Sequence, residues 1–239
     1  MADALILHIE TATDICSVAI SDGDNILALV ESGAERSHAT LLNRFIREAA
    51  GISGKELKQL NGIAVSKGPG SYTGLRIGVS TAKGLAYSLN IPLLSCGTLE
   101  SMANSALQLE EVQKLIKTHG DQLLLCPMLD ARRMEVYTAF FSPSCVMKRE
   151  VTAEIIDEKS FEEVLDKNPI CFFGNGAEKC RGVITHKNAH FIDGLNPSSG
   201  AMTKPVLNKF LRSEFEDVAY FEPFYLKDFV ATTPRKKLL

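Results

Sequence analysis

The sequence predicts an α/β protein of two lobes, each with a mixed five-stranded sheet and flanking helices. Two observations support this prediction. Three apolar runs joined by short polar turns open the chain, and helix, strand, helix and strand patterns then alternate up to residue 97. A comparable order begins again in the second half, so residues 1–110 and 111–230 are predicted to be the two lobes.

The three opening runs predict an antiparallel meander. They cover residues 4–10, 15–21 and 26–31. Residues 22–25 read Asp-Gly-Asp-Asn, which is typical of a hairpin turn between two strands. Short turns of this kind join neighbouring antiparallel strands, so all three runs are expected in one sheet.

Helical periodicity follows the meander. Ser37 can cap a helix whose apolar residues recur at three- and four-residue steps, and Gly51 is expected to end it. A strand over 63–66, a helix over 73–89 and a strand over 93–96 complete the order β-β-β-α-β-α-β. That order is found in one half of the ribonuclease-H-like and actin-like (ASKHA) folds. Its recurrence predicts a duplicated actin-like fold.

The second half is predicted from shorter patterns. A helical stretch is expected over 98–118, and a last amphipathic helix over 200–212. Residues 231–239, with the basic run Arg235-Lys236-Lys237, are predicted to form a flexible basic tail. The elements expected between the two helices are strands at 123–129, 135–141, 146–151 and 170–173, and a helix at 161–165.

Composition limits the possible functions. Hydrophobic residues are 45 % and charged residues 23 % of 239, the balance of a soluble globular protein. The net charge of −3 gives no overall attraction to nucleic acid, so nothing in the overall composition favours direct binding of RNA. Six scattered cysteines without a CxxC pair favour neither zinc nor a disulfide framework. With no apolar run of membrane-spanning length and no visible secretion signal, we expect a cytoplasmic protein without membrane contact.

The helix over 73–89 carries a stripe of small residues. Four of them lie four residues apart and therefore share one face, although glycine in a helix costs about 0.5–1 kcal/mol relative to alanine. Close approach of another backbone offsets such a cost, and that backbone belongs either to the same chain or to another subunit. If it is another subunit, Gly78→Leu is expected to abolish binding and leave the fold of the monomer mostly intact. The predicted interface residues on the two helices are Leu41, Leu42, Phe45, Gly74, Gly78, Ala82 and Ala86.

The glycine-rich loop ahead of this helix has a second interpretation. Backbone amides before a helix N-terminus attract anions, so residues 67–74 resemble a phosphate-binding loop. The loop lacks the lysine and hydroxyl pair that closes a P-loop, and glycine–proline turns before helices are common. Phosphate binding therefore remains the weaker interpretation.

Several segments resemble the TsaB family. The strongest match is Gly-Pro-Gly-Ser-Tyr-Thr-Gly-Leu-Arg-Ile-Gly-Val followed by Ala-Lys-Gly-Leu-Ala, within residues 67–94. Four shorter features occur in the family's order along most of the chain. They are Glu10-Thr11, Ser37-His38 with Leu41-Leu42, Asp130-Ala131-Arg132 with Glu135-Val136-Tyr137, and Tyr225-Leu226-Lys227.

The resemblance implies a role and partners. TsaB is a paralogue of the catalytic subunit TsaD, pairs with it through the two N-terminal helices, and is joined by the ATPase TsaE. TsaD transfers a threonylcarbamoyl group to the adenosine beside the tRNA anticodon, and TsaB is needed without performing the chemistry. This chain is therefore expected to be a non-catalytic dimerization subunit without a cofactor. A homodimer through the same helices remains an alternative.

Two enzymatic alternatives also remain open. A metallopeptidase or transferase would need the His-x-x-x-His pair that holds metal in TsaD, and Thr98 and Met102 stand at those positions here. His186 and His190 repeat the spacing, but in a polar stretch expected to be a solvated loop. An actin-like kinase would use acidic residues at strand ends, so Glu10, Thr11 and Asp130 are predicted to form a vestigial nucleotide site.

Overall fold

The computed structural model describes residues 4–32 and 38–227. The predicted Ser37 cap and the predicted basic tail at 231–239 lie outside these residues. The strands are β1 (Leu5–Glu10), β2 (Cys16–Asp22), β3 (Asn25–Ser32), β4 (Gly62–Gly68), β5 (Leu93–Gly97), β6 (Leu124–Asp130), β7 (Glu135–Phe141), β8 (Met147–Ile155), β9 (Ile170–Phe173) and β10 (Ala189–Ile192). The helices are α1 (His38–Ser53), α2 (Tyr72–Leu89), α3 (Thr98–Ala106), α4 (Glu110–His119), α5 (Glu162–Leu165), α6 (Ala177–Cys180) and α7 (Thr203–Leu211).

Two sheets with the same topology form the two lobes. The first has the order β3-β2-β1-β4-β5, and the second has the order β8-β7-β6-β9-β10. In each sheet the first three strands are antiparallel, and the fourth and fifth run parallel to the first. This arrangement confirms the duplicated actin-like fold that the sequence predicts. It also makes Glu10 and Asp130 equivalent, because each ends the central strand of its sheet.

Helices cover both faces of the first sheet. On one face, α1 and α2 bury apolar side chains against β1, β2 and β4 in the largest core cluster. On the other face, Met202, which directly precedes α7, and Val206 of α7 pack against Ile6 and Leu94. Strands covered on both faces are apolar along their whole length, which explains the continuous runs in the sequence.

Two helices pack on the sheet that the other half of the chain forms. Helix α3 packs Leu99 and Met102 into the core of the second sheet, although it precedes residue 110. Helix α7 returns to the first sheet, and Glu216 bridges to Leu93 at the edge strand β5. The predicted boundary at residue 110 therefore separates each of these helices from the sheet on which it packs.

Some predicted elements differ in detail. Helix α1 continues through Gly51 to Ser53, and the stretch expected as one helix over 98–118 is divided into α3 and α4. The stretch around His190, expected as a loop, contains β10, the fifth strand of the second sheet. Among the described residues, no helix is both long and apolar enough to cross a membrane.

Candidate functional site

A cleft of about 560 Å³ lies between the two lobes. Its walls face the ends of the central strands β1 and β6, where actin-like enzymes place acidic residues. The residues that line it are 12–14 and 69–73 from the first lobe, 129–132, Tyr137 and Asn175 from the second, and 224–227 from the C-terminal segment.

Glu10 lies behind the cleft and not in its lining. The side chain is fully buried at the end of β1, and its Oε1 accepts a hydrogen bond of 2.6 Å from the Ala12 amide. Burial raises the pKa of Glu10 to about 7, against the opposing effects of the Ala12 amide, the Ser66 hydroxyl and the Thr11 amide. The carboxyl group therefore orders the turn after β1, and burial favours its protonated form.

Thr11 also serves the packing of this turn. Its Oγ1 donates to the carbonyl oxygen of Gly74 over 2.8 Å, and the side chain is fully buried. A Cβ on Gly74 would lie 2.1 Å from the Thr11 carbonyl oxygen, and one on Gly78 would lie 2.2 Å from Thr11 Oγ1. These two glycines of the small-residue stripe thus allow α2 to approach the end of β1. The expectation that Gly78→Leu leaves the fold intact is wrong, because a side chain there collides with Thr11.

The turn after β1 offers few free amides to a phosphate. Glu10 takes the amide of Ala12, and Thr13 Oγ1 accepts from the amide of Ile15 over 3.3 Å. The Ala12 carbonyl oxygen accepts the Ser71 amide over 2.7 Å, which seats the loop before α2 directly on the turn. The amides of Ala12 and Ile15 are therefore already bonded within the chain.

Asp130 lines the cleft from the second lobe. Its Oδ1 accepts from the Arg132 amide over 2.9 Å and pairs with the ammonium group of Lys179 from α6. Lys179 also donates to the Glu135 carbonyl oxygen over 2.7 Å. A magnesium ion at Asp130 would have to compete with this ammonium group for the same carboxylate. The Asp130 side chain thus acts as the centre of a turn that its own chain stabilises.

The positions compared with the metal ligands of TsaD lie in the core. Thr98 is fully buried, and its hydroxyl shares a hydrogen bond of 2.8 Å with Ser66. Met102 is buried in the core of the second lobe. A hydroxyl already bonded within the chain and a thioether in an apolar core do not suit a catalytic iron or zinc ion. Across residues 4–32 and 38–227, no three His, Cys, Asp or Glu side chains are grouped so as to hold a metal.

The two helices of the predicted interface present a different set of residues to solvent. All seven predicted interface residues are buried in the monomer, where they pack against the first sheet or its turn. The interface through these seven residues stays a prediction, and a partner would first meet the residues that α1 and α2 expose. We define the outer helix face by eight of the exposed residues of both helices, which are Asn43, Arg44, Arg47, Glu48, Arg76, Ser80, Gly84 and Tyr87.

Gly84 differs from the other glycines of α2. A Cβ built on it would meet no atom within 4 Å. The packing of the described residues therefore does not require a glycine at this exposed helical position, whereas it does at Gly74 and Gly78.

The sequence interpretation did not identify the lysines that pair with Asp130 and Glu135. Lys179 and Lys227 bind Asp130 and Glu135 across 49 and 92 residues of sequence. Tyr72 and Tyr225 pack with ring centroids 4.8 Å apart at the cleft wall. The segment Tyr225-Leu226-Lys227, which the resemblance had already identified, could have indicated the roles of Tyr225 and Lys227 at the cleft.

Fold and cleft together define an actin-like protein whose acidic strand-end residues are bonded by its own chain. Residues 30–234 match the family described as TsaD, tRNA N6-adenosine threonylcarbamoyltransferase. The chain is 28 % identical to the tRNA threonylcarbamoyladenosine biosynthesis protein TsaB of Escherichia coli over 95 % of this chain and 96 % of that protein. It is 30 % identical to TsaB of Buchnera aphidicola from Acyrthosiphon pisum, over 68 % of this chain and 69 % of that one.

A solved structure agrees with the fold. YeaZ from Pseudomonas aeruginosa superposes with a TM-score of 0.76 at 24 % identity, over 93 % of this chain and 100 % of that chain. The chain belongs to the TsaB (YeaZ) family, within the broader group of TsaD-type sequences.

Proposed function

We propose that this chain is a non-catalytic subunit in the biosynthesis of threonylcarbamoyladenosine in tRNA. The names of its TsaB relatives support involvement in that biosynthesis. In the proposed assembly a TsaD-like subunit transfers the threonylcarbamoyl group to the adenosine beside the anticodon, and a TsaE-like ATPase completes the complex. This chain supports the reaction by docking on the TsaD-like subunit, and contacts the tRNA only indirectly.

The contacts of three side chains support a subunit without catalytic activity. Glu10 is buried and turned onto its own backbone, and Asp130 is paired with Lys179. Thr98 stands where the TsaD resemblance would require a metal-binding histidine, and its hydroxyl bonds to Ser66. One carboxyl oxygen each of Glu10 and Asp130 is bonded within the chain, and Thr98 is the wrong donor for a metal, which supports a subunit that catalyses neither phosphoryl transfer nor metal-assisted chemistry.

Docking is proposed on the outer helix face, and the observation that carries it is Gly84. Glycine in the interior of a helix costs about 0.5–1 kcal/mol relative to alanine. Intrachain packing accounts for this cost at Gly74 and Gly78 but not at Gly84. Close approach of a partner's backbone accounts for it there. Tyr87, one turn further along α2 and 81 % exposed, supplies a large aromatic side chain of the kind that dominates interface energies.

The experiment is light scattering on a sizing column, with the chain alone and mixed with the TsaD-like subunit of the same organism. We expect a one-to-one complex with the wild-type chain and its loss with Gly84→Leu, since a leucine side chain would hold the partner's backbone away. Thr118→Leu adds the same residue at an exposed position of α4 and is the matched control, expected to bind normally.

Two results would contradict the proposal. Normal binding by Gly84→Leu would remove the docking site from this face. A wild-type chain that forms only homodimers, and keeps them when the TsaD-like subunit is added in excess, would make the chain an independent scaffold. Circular dichroism of both variants checks that they fold, which is expected because the space beside Gly84 is open.

A further inference from the structure

The C-terminal segment forms a strap, defined here as residues 216–227, that runs along the first lobe and ends at the second. At its start, Glu216 pairs with the edge strand β5, where its amide donates to the Leu93 carbonyl oxygen over 2.8 Å. Further along, the Phe224 amide donates to the Lys67 carbonyl oxygen over 2.7 Å. The strap is therefore attached to the first sheet at two well-separated points.

Helix α2 holds the middle of the strap through two cationic side chains. Lys83 donates to the carbonyl oxygens of Ala219 and Phe221 over 3.1 and 2.9 Å. Arg76, on the outer helix face, donates from Nε to the Tyr225 hydroxyl over 3.1 Å. A partner that docks on the outer helix face thus meets Arg76, whose side chain also binds the strap.

The end of the strap reaches the second lobe. Lys227 forms an ion pair with Glu135 at the beginning of β7. The same Glu135 offers its carbonyl oxygen to Lys179, the residue that pairs with Asp130. Residues 224–227 also form one wall of the cleft. The strap therefore joins the two lobes at the cleft through side-chain contacts.

These contacts connect two sites through one segment. Arg76 belongs to the outer helix face, packs its guanidinium 4.2 Å from the Tyr72 ring centroid, and bonds to Tyr225 of the strap. Both tyrosines line the cleft. A change in the position of Arg76 on docking would alter the support of Tyr225, and a change at Lys227 would alter the support of Arg76.

We propose that the strap couples the docking of a protein partner on the outer helix face to closure of the inter-lobe cleft. The proposal rests on the proposed function for the identity of that partner, the TsaD-like subunit. In the closed state Lys227 binds Glu135 and Tyr225 supports Arg76, so the docking face is ordered before the partner arrives. Because binding couplings are reciprocal, the partner must stabilise the closed strap by the same factor by which the closed strap improves docking.

The first measurement uses the chain alone. Lys227→Glu places two carboxylates together and should release the end of the strap. We expect amide hydrogen exchange at Phe224 and its neighbours to become at least about fivefold faster, because the opening that exposes these amides becomes more frequent. The double variant Lys227→Glu with Glu135→Lys restores the ion pair with reversed charges and should restore slow exchange. Lys114→Glu on α4 carries the same charge change far from the strap and should leave exchange there unchanged.

The second measurement is the affinity of the same four chains for the TsaD-like subunit. Lys227→Glu should bind about 5- to 10-fold more weakly, and the double variant should bind as wild type does. Binding should also slow exchange at the strap of the wild-type chain. Faster exchange in Lys227→Glu with unchanged affinity for the TsaD-like subunit would overturn the coupling, because the strap would then only stabilise the fold. Unchanged exchange in Lys227→Glu would overturn the closed state itself.

These outcomes are separable from failure of the proposed function. If the wild-type chain does not bind the TsaD-like subunit at all, the proposed function fails and the coupling to docking fails with it. If the wild-type chain binds and Lys227→Glu binds equally well, only the coupling fails.

Discussion

Thr11 and Gly74 join the end of β1 to the first turn of α2 through two interactions. The Thr11 hydroxyl donates to the Gly74 carbonyl oxygen over 2.8 Å, and a Cβ on Gly74 would lie 2.1 Å from the Thr11 carbonyl oxygen. The strongest sequence feature of the chain, its glycine-rich segment, is therefore needed first for folding. Another side of the same helix is open, since a Cβ built on Gly84 would meet no atom within 4 Å.

Gly74→Ala should destabilise the protein, and Gly84→Ala should stabilise it. The added methyl group at Gly74 collides with backbone that cannot move freely, and overpacking of this kind costs about 1–3 kcal/mol or more. At Gly84 the same methyl group enters open space, and alanine improves helix propensity by about 0.5–1 kcal/mol. Denaturant midpoints of the two variants measure the difference. Equal midpoints would show that α2 does not approach the turn as closely as the structure has it.

Glu10→Gln should become progressively more stable than wild type as pH rises. Since burial raises the folded-state pKa of Glu10 from 4.5 to about 7, the folded protein binds a proton that the unfolded chain releases in this range. The contribution of Glu10 is therefore fully present below pH 4.5 and is lost as pH rises through 7. The shift corresponds to about 3 kcal/mol, at 1.36 kcal/mol per pKa unit.

The measurement is the unfolding free energy of both proteins between about pH 4 and 8, a range that extends below the unfolded-state pKa of 4.5 and above the folded-state pKa of about 7. Glu48→Gln, which removes an exposed carboxylate from α1, is the control and should show no such trend. If the two glutamine variants gave parallel curves, the Glu10 carboxylate would have to be stabilised in its charged form by groups beyond those described.

The thiols should react very unequally. All six cysteines are free, five are buried, and only Cys145 is partly exposed. Burial raises the pKa of the Cys16 and Cys145 thiols to about 11 and that of Cys171 to about 12, so exposure to the reagent and not the thiolate fraction should set the order of reaction. We expect one faster thiol in the native protein and six after unfolding, counted with a chromogenic disulfide reagent. Cys145→Ser should remove the faster phase, and any fast thiol that remains in that variant would contradict the described core.

The sheets could be predicted because their patterns are local. Continuous apolar runs and short polar turns define β1 to β3 without knowledge of the rest of the chain. Strand β10 was missed because it has only four half-buried residues and a polar sequence before it. The packing of α3 on the second sheet and of α7 on the first could not be predicted, since an apolar helix face does not specify which sheet covers it.

Part of the candidate site could be predicted because it also depends on local patterns. Glu10 and Asp130 were found because each follows an apolar strand, but their bonding partners were not. Lys179 is 49 residues from Asp130 in sequence, and nothing in the local pattern of either residue links them. The seven interface candidates were chosen by helical periodicity, which identifies a packed face without saying whether the chain itself or a partner covers it. The structure shows that the chain itself covers them.

The most direct test of the central claim is threonylcarbamoyl transfer to tRNA, catalysed by the TsaD-like subunit with its ATPase, in the presence of variants of this chain. Asp130→Asn removes the cleft carboxylate, whose exposed ion pair is worth about 0–1 kcal/mol, and should support transfer as wild type does. Gly84→Leu blocks the outer helix face and should lower the rate by about tenfold or more, equivalent to about 1.4 kcal/mol. The opposite result, with transfer lost in Asp130→Asn and kept in Gly84→Leu, would make this chain a catalytic participant and contradict the account.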